Sequence, residues 1–333
     1  MTDYKGVLIS GEVIEGKITT ITREILRKGR ELSDDLNQPL SLLFIGENIQ
    51  EAAEEAILLG GEKIYLVNGA PFTESPPELY LAIITHICNR IKPYIILFGH
   101  TDMGRDIAPR LAAKLDMNAC LDCVELAIDP ETKSLLATKP VYGGNAKAVW
   151  ASLGKQPQVI SIRARSSEPA EPDTSRKGKI IKVAVEINDS MIKAKLLETV
   201  EEEVQGKKLE EAEVVVAGGG GIGGSRGFQL IEELARILGG AVGITRVPRD
   251  EGWMPTGLEI GQTGHIVSPN LYIAVGISGA PQHLAGCSRS RCIVAINKDP
   301  EAHIFKEADF GIVGDYREAL PHLIQKFKDV LAA

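Results

Sequence analysis

Apolar and polar residues alternate in regular blocks along the first part of the chain. Short, nearly all-apolar runs indicate buried strands at 7–10, 40–46, 64–68 and 94–99. Between them, apolar residues recur every three or four positions, which is the spacing of one helix face, at 17–32, 49–60, 77–91 and 105–116. Apolar strands that alternate with amphipathic helices predict a parallel sheet covered by helices on both faces.

The pattern changes after residue 120. Strand-like segments then follow one another with only turns between them, and we expect antiparallel additions to the first sheet at 123–129, 134–144, 146–153 and 158–165. Residues 166–179 are polar, charged and contain proline, which predicts an exposed loop. A strand at 181–187 and a charged helix at 193–204 carry the chain to Gly206, where we place a domain boundary.

The second part of the chain restarts the alternation of strands and helices. Strands are predicted at 213–218, 241–246, 271–278, 291–298 and 310–315, and the clearest helices at 228–239 and 316–332. The sequence thus predicts an α/β protein of two domains, 1–205 and 206–333, each a mostly parallel sheet with helices on both faces. The C-terminal domain is predicted to be a doubly wound, Rossmann-like unit.

Composition narrows the class of protein further. The 333 residues carry a formal charge of −8, which argues against sequence-independent nucleic-acid binding. We find no signal or transit pattern and no long apolar run, so we expect a cytoplasmic protein without membrane insertion. The five cysteines do not suggest a disulfide framework. Cys120 and Cys123 have no second pair at ligand spacing, so ordinary buried thiols are favoured over a metal or redox pair.

Glycine is the strongest compositional signal in the second domain. Of 34 glycines, 20 fall in residues 206–333, and the densest run follows a predicted strand and precedes a predicted helix. Gly219, Gly221 and Gly224 fit G-x-G-x-x-G, a pattern that lets backbone N–H groups approach a phosphate. The alternative is a packing turn in which small residues let a helix lie close to a strand.

The end of the second strand of this domain limits the choice of nucleotide. An NAD-binding fold usually has an acidic residue there to bind the ribose hydroxyl groups, whereas this chain has Thr245 and Arg246. Ordinary NAD binding is therefore disfavoured, and NADP or another phosphate-bearing cofactor remains open. Arg246 could equally be a solvated surface arginine.

Further polar residues follow successive strands of the second domain. Because ligands of open α/β sheets bind at the carboxyl ends of the strands, we expect these residues to line one site. Ser278 is expected to begin a helix and to form an anion site there. The other candidates are Gln262, Thr263, His265, Gln282, His283, Asn297, Lys298, Asp299 and Asp315. No nucleophile–base arrangement or catalytic carboxylate pair can be argued from spacing, so the site is predicted to hold a ligand rather than hydrolyse one.

Longer motifs make a resemblance specific. The stretch GLEIGQTGHIVSPNLYIAVGISGAPQHLAG, followed by CIVAINKDPEAHIFKEADFGIVGD, resembles the FAD domain of electron transfer flavoprotein alpha subunits. In the first domain, GHTDMGRDIAPRLAAKLDM at 99–117 and TKPVYGGNA at 138–146 resemble the first domain of that subunit. The resemblance covers the whole chain.

The resemblance implies a protein that carries electrons rather than a stand-alone enzyme. It implies one FAD in residues 206–333 and a heterodimer with a beta subunit. The electron donor would be an acyl-CoA dehydrogenase or a similar flavin dehydrogenase. The second redox partner would be a quinone oxidoreductase, or ferredoxin and NADH in bifurcating members of the family.

The resemblance also implies roles for single residues. Arg246 is expected against the isoalloxazine ring, Thr263 near flavin N5, and His283 near the C2 carbonyl. Cationic or hydrogen-bonding groups there would raise the potential of the flavin, because its reduced form is anionic around N1 and O2. The remaining expected cofactor contacts are Thr245, Gln262, Ser278 and Lys298 at the pyrophosphate or its linker, Gln282 in the same pocket, Asn297 and Asp315 at the AMP half, and Gly261, Gly279 and Ala280 within the motifs.

The chain departs from the family pattern at a few positions. Gly220 stands where the family usually has the arginine of a GGRG loop, and Arg226 is a candidate substitute. If Arg226→Ala left the FAD affinity unchanged, that hypothesis would fail. Thr245 replaces the usual serine and keeps its hydroxyl group, and His265 replaces a lysine.

Two other function classes remain open from the residues alone. One is an NADP-binding oxidoreductase or transhydrogenase-like domain, suggested by the glycine pattern and Arg246. The other is a nucleotide-binding regulatory protein without redox activity. Extraction of the cofactor separates them, because released FAD supports the flavoprotein and a colourless protein that binds NADPH contradicts it.

Overall fold

The computed structural model describes residues 4–67, 77–142, 146–152, 157–185, 209 and 212–331. The chain divides into two compact units, Met1–Thr199 (the first unit) and Val200–Ala333 (the second unit). The predicted helix 193–204 and the predicted boundary at Gly206 lie outside the described residues. The domain limits 1–205 and 206–333 therefore stay a prediction.

The described part of the first unit consists of strands β1–β12 and helices α1–α4. The main sheet is parallel and has seven strands in the order β12-β5-β4-β1-β6-β11-β7. It confirms the predicted α/β architecture of this half of the chain. In chain order the elements are β1 Val7–Ser10, β2 Val13–Ile14, β3 Lys17–Ile18, α1 Thr20–Leu36, β4 Leu40–Ile45, α2 Gln50–Leu58, β5 Lys63–Val67, α3 Pro77–Ile91, β6 Ile95–Gly99, α4 Asp102–Leu115, β7 Asn118–Cys123, β8 Glu125–Ile128, β9 Leu135–Val141, β10 Ala146–Ala151, β11 Gln158–Ile162 and β12 Lys179–Lys182.

The predicted antiparallel additions to the main sheet are wrong in their placement. Strands β8, β9 and β10 pair antiparallel in a separate three-stranded sheet. Strand β11 instead lies inside the main sheet, parallel to both β6 and β7, and every one of its residues is buried. A strand between two neighbours and covered on both faces is almost wholly apolar, whereas β10 alternates exposed and half-buried positions.

Two local features also differ from the prediction. Helix α1 begins at Thr20 rather than at residue 17, because residues 17–18 pair with 13–14 in a short hairpin. Thr19 is its N-cap and accepts a hydrogen bond from the backbone N–H of Thr22. Strand β7 was not predicted, since its sequence NACLDC contains polar residues.

Cys120 and Cys123 lie on β7, and both are buried free thiols, as predicted. The Cys123 thiol donates to the Cys120 carbonyl oxygen at 3.4 Å. Within the described ranges there is no cluster of three potential metal ligands. None of the described helices is long and apolar enough to cross a bilayer.

The second unit is a five-stranded parallel sheet with the order β14-β13-β15-β16-β17. The strand order reverses between β13 and β15, so this is a doubly wound sheet with its switch point at that junction, and the Rossmann-like class is confirmed. The elements are β13 Val214–Gly218, α5 Phe228–Ile237, β14 Ala241–Ile244, α6 Arg246–Asp250, β15 Leu271–Val275, α7 Pro281–Cys287, β16 Ile293–Asn297, α8 Ile304–Glu307, β17 Phe310–Val313 and α9 Tyr316–Leu331.

The hydrophobic core of the second unit fixes the positions of the strands, and thereby the positions of the loops at their carboxyl ends. Helix α5 buries Phe228, Ile231 and Leu234, residues three positions apart that form one helix face. Fully burying each such side chain contributes about 1.5–3 kcal/mol. The helix ends where Gly239 adopts φ +60° and Gly240 donates to the Ala235 carbonyl oxygen at 2.8 Å.

Candidate functional site

The glycine loop after β13 packs directly against the end of β15. Gly219 donates to the carbonyl oxygen of Val275, and Gly221 donates to that of Gly276, both at 2.9 Å. A Cβ atom on Gly219 would lie 2.4 Å from the Gly276 oxygen, and one on Gly221 would lie 2.9 Å from the Gly276 Cα atom. These two glycines of the fingerprint are therefore required for packing at the switch point.

The third fingerprint glycine has a different environment. Gly224 has φ +151° and Gly223 has φ +77°, and an added Cβ atom would meet nothing within 4 Å at either residue. These positive φ values favour glycine, and the open space leaves the backbone accessible. The packing interpretation thus applies to the start of the loop, and its far end remains available to a ligand.

The next strand, β14, delivers Thr245 and Arg246 to the same edge. The N–H group of Thr245 donates to the Gly218 carbonyl oxygen at 3.0 Å, which ties it to the end of β13. Thr245 is the N-cap residue of α6, but its side chain makes no capping hydrogen bond. The Arg246 side chain is 74% exposed, and its Nε atom pairs with Asp250 Oδ2 at 3.1 Å.

Residues 259–265 form a tight turn between β14 and α7. The N–H of Ile260 donates to the Ile244 carbonyl oxygen, and that of Gln262 donates to the Gln282 carbonyl oxygen, both at 2.8 Å. Gly261 has φ +153°, and a Cβ atom there would lie 2.9 Å from the Gln282 oxygen. With the backbone fixed in this way, the side chains of Gln262 and Thr263 are exposed at the sheet edge.

Ser278 does not cap a helix, which corrects the sequence prediction. Helix α7 begins at Pro281, and its N-cap residue is Ala280. Gly279 lies between them with φ +86°, and a Cβ atom there would lie 2.3 Å from the backbone nitrogen of Ile304. The chain must therefore turn at Gly279 before the helix starts, and the Ser278 side chain stays exposed beside the strand end.

His283 is buried in α7, and both of its ring nitrogens contact protein groups. Nδ1 lies 2.9 Å from the Ile260 carbonyl oxygen, and Nε2 lies 2.9 Å from the Tyr272 hydroxyl group. Burial lowers the pKa of this imidazole. A neutral ring then donates from Nδ1 to Ile260 and accepts from Tyr272 at Nε2. The expected contact with the flavin C2 carbonyl stays a prediction.

Tyr272 contacts the candidate residue His283 and was not predicted from the sequence. It is fully buried on β15, and it orients the His283 ring through its hydroxyl group. The available signal was a tyrosine in an otherwise aliphatic strand, because a buried hydroxyl group requires a hydrogen-bond partner.

The last two strands add Asn297 and Asp315. The Asn297 amide donates to the Ile277 carbonyl oxygen at 2.8 Å and accepts from the Asp299 N–H at 3.0 Å, so this side chain fixes the neighbouring loop. Asp315 forms a two-oxygen ion pair with Arg317, whose guanidinium lowers the pKa of that carboxyl group to about 2. Lys298 is exposed beside them.

The structure therefore places the predicted residues along one edge of the sheet, at the ends of β14, β15, β16 and β17 and in the 259–265 turn. In the part of the chain that the structure describes, the Thr245 and Ser278 hydroxyl groups have no hydrogen-bond partner. Two exposed cations, Arg246 and Lys298, lie at the same edge. Unpartnered hydroxyl groups and cations above a switch point fit a ligand that carries a pyrophosphate.

Comparison of the sequence with known protein families identifies the family to which this chain belongs. Residues 7–188 match the model of the electron transfer flavoprotein domain, and residues 208–288 match that of the electron transfer flavoprotein FAD-binding domain. The chain belongs to the electron transfer flavoprotein family. The FAD-binding match includes the glycine loop, Arg246 and the 259–265 turn, and the cofactor of this electron transfer flavoprotein chain is FAD.

Full-length relatives support the assignment. The electron transfer flavoprotein subunit alpha of Thermoanaerobacterium thermosaccharolyticum is 43% identical over 98% of this chain and 99% of its own. The subunit alpha of Bacillus subtilis is 39% identical over 98% of each chain. Protein FixB of Clostridium saccharobutylicum is 37% identical over the whole of this chain and 99% of its own.

Gly220, Arg226 and His265, the residues at or near the departures from the family pattern, have different surroundings in the structure. A Cβ atom on Gly220 would lie 3.2 Å from Val247 Cγ1, a close contact at the start of α6. Arg226 is exposed at a shallow groove that Tyr316 and Arg317 also line, and among the described residues it has no ion-pair partner. Its role as a substitute for the family arginine stays a prediction. His265 is half-buried, and its N–H donates to the Glu259 carbonyl oxygen at 2.7 Å.

Proposed function

We propose that this chain is the alpha subunit of a heterodimeric electron carrier. It pairs with a beta subunit, takes electrons from an acyl-CoA dehydrogenase or a similar flavin dehydrogenase, and passes them to a second redox partner. The observation that supports this role most directly is the row of exposed polar side chains at the carboxyl edge of the second unit. The edge can bind a ligand, because its hydroxyl groups and cations are exposed there.

We assign the residues of this edge to different parts of FAD. Arg246 and Thr263 lie beside the isoalloxazine ring, whereas the Thr245 and Ser278 hydroxyl groups and Lys298 bind the pyrophosphate. Bound FAD supplies the one- and two-electron redox chemistry. The Arg246 guanidinium stabilises the negative charge that the ring gains on reduction, and it thereby raises the midpoint potential.

The remaining assigned contacts complete the pocket. Gly261, Gly279 and Ala280 bring the backbone close to the cofactor, and Gln282 lines the same pocket. Asn297 and Asp315 hold the AMP half. His283 faces the pyrimidine side of the ring, where Tyr272 and Ile260 fix its orientation.

The second redox partner follows from the family rather than from any single residue. A quinone oxidoreductase would accept electrons in a linear chain, whereas ferredoxin and NADH would take part if the assembly bifurcates electrons. Bifurcation requires a second flavin, which we assign to the beta subunit. The five free cysteines fit the reducing cytoplasm, where we place the protein.

Purification of the full-length chain with its co-expressed beta subunit tests this function. We expect a yellow complex whose released cofactor has the mass of FAD, and a visible spectrum that bleaches when a reduced acyl-CoA dehydrogenase is added. A colourless complex that binds NADPH would instead support an NADP-binding oxidoreductase. A protein without any reducible chromophore would support a regulatory nucleotide-binding role.

A further inference from the structure

A continuous chain of charged and polar side chains connects two residues that we assign to the isoalloxazine ring. It starts at Arg246, whose Nε atom contacts Asp250 Oδ2 at 3.1 Å. The other oxygen of Asp250 accepts from Arg249 Nε at 3.0 Å and Nη2 at 2.6 Å. Arg249 Nη1 then contacts Glu259 Oε2, and Glu259 Oε1 accepts from the Thr263 hydroxyl group at 3.5 Å.

The exposure of the linked side chains decreases from Arg246 to Glu259. The Arg246 side chain is 74% exposed, that of Arg249 is 26% exposed, and that of Glu259 is 7% exposed. A buried carboxylate needs a partner charge, and Arg249 provides it. The backbone carbonyl oxygen of Glu259 also accepts a hydrogen bond from the His265 N–H, which joins the two ends of the 259–265 turn.

These linked side chains therefore connect helix α6 to the turn that carries Thr263. A guanidinium that is held by a carboxylate has fewer orientations than a free one, and its charge is partly neutralised. At the opposite end, a threonine hydroxyl group that donates to a carboxylate is fixed in direction. We propose that Asp250, Arg249 and Glu259 are positioning residues that fix Arg246 and Thr263 relative to the flavin ring and tune its potential.

This inference rests on the proposed function, because it requires FAD at this edge. It predicts a change in potential with a definite sign. Asp250→Asn removes the negative charge that is paired with Arg246, so more of the positive charge acts on the ring. The reduced form is then stabilised, and the midpoint potential of the FAD rises.

Glu251 offers a matched control on the adjoining residue. It is exposed, and within the described ranges it forms no ion pair. Glu251→Gln removes one negative charge from the residue that follows Asp250 in sequence, without breaking the series of linked side chains. Redox titration of the FAD-loaded complex is the measurement. We expect Asp250→Asn to favour the reduced form about tenfold, which is about 59 mV for one electron, and Glu251→Gln to change the potential by less than a third of that.

A double-variant comparison tests whether Asp250 acts through Arg246. In an Arg246→Gln background, the effect of Asp250→Asn should shrink to that of Glu251→Gln, because the paired cation is gone. An equal shift in both backgrounds would overturn the proposal, since it would show only the direct field of the carboxylate. Lower thermal stability without any change in potential would also overturn it.

The Glu259 end of the chain has a readout that does not depend on FAD. Glu259→Gln should increase hydrogen–deuterium exchange in peptides covering 259–265 of the cofactor-free protein, whereas Glu251→Gln should not. Unchanged exchange would contradict the positioning role of Glu259. If the wild-type complex bound no FAD at all, the proposed function would fail; FAD binding with identical potentials in all variants would refute only this inference.

Discussion

Glu24 is a carboxyl group that helix α1 buries in the first unit, with only 3% of the residue exposed. Its Oε2 atom accepts a hydrogen bond from the backbone N–H of Arg165 at 2.6 Å, and its carbonyl oxygen accepts one from Ser167 Oγ at 3.1 Å. These bonds attach the start of the polar loop to α1. Burial raises the pKa of this carboxyl group to about 7.

This raised pKa makes the stability of the first unit depend on pH. Between pH 4.5 and about 7, the folded state binds the Glu24 proton more tightly than the unfolded chain does. We therefore expect the free energy of unfolding to fall as pH rises through this window, by about 3 kcal/mol in total. Glu24→Gln keeps an oxygen acceptor for the Arg165 N–H and carries no charge. We expect it to be more stable than the wild type at pH 8 and equally stable at pH 4.5, as measured by urea unfolding.

Asp35→Asn is the control for this experiment, because Asp35 is an exposed carboxylate of the same helix. It should leave the pH dependence unchanged. If Glu24→Gln lost stability with rising pH as steeply as the wild type, another group would be responsible.

Single residues show where sequence analysis reaches its limit. Arg246, Thr263 and Ser278 could be assigned to one edge because each follows a strand or a motif, and the structure does place them there. Glu24 and Tyr272 could not be found in this way. Their burial and hydrogen-bond partners come from residues distant in the chain, such as Arg165 and His283, so no local pattern marks them.

At the scale of elements, the glycine loop after β13 is a fixed part of the sheet junction. Gly219 has an extended backbone with φ −108°, so any residue could adopt its conformation. A side chain is excluded there by close contacts, because a Cβ atom would lie 2.4 Å from the Gly276 carbonyl oxygen and 2.8 Å from the Cα atom of Ile277. Because that oxygen belongs to the backbone, it cannot move without shifting β15.

Gly219→Ala and Gly220→Ala form a matched pair of variants. We expect Gly219→Ala to reduce the free energy of unfolding by about 1–3 kcal/mol, as overpacking typically does, and to weaken FAD retention. The Cβ atom of Gly220→Ala meets the Val247 side chain at 3.2 Å, and that side chain is half exposed, so we expect it to shift by the few tenths of an ångström that are needed. Its effect should stay within about 0.5 kcal/mol. Urea unfolding and FAD release on gel filtration measure both effects, and equal losses in the two variants would contradict the packing argument.

The elements also show which parts of the fold a sequence can reveal. The strands of the second unit were predicted because each is a short apolar run between a helix and a loop. The division of residues 118–162 between two sheets was not predicted, because strand pairing depends on neighbours that are distant in the sequence. Strand β11 had the signal of a central strand, an apolar run buried on both faces, but β7 between polar turns had none.

At the scale of the whole molecule, the two units have separate hydrophobic cores. The core of the second unit contains Tyr272, Phe228 and the strands of the five-stranded sheet. The first unit packs its residues into two clusters, one on each side of its main sheet, around Phe44 and Phe98. Units that each bury their own core are expected to unfold as separate cooperative steps.

FAD should therefore stabilise one step and leave the other unchanged, since all of its assigned contacts lie in the second unit. At a hundredfold excess over the dissociation constant, binding contributes about 2.7 kcal/mol, which corresponds to a rise of roughly 10 °C for a unit of this size. Scanning calorimetry of the full-length chain, with and without added FAD, measures both transitions. Riboflavin is the control ligand, because it lacks the pyrophosphate and should shift the same transition by less. A single transition that moved as a whole would show instead that the two cores unfold together.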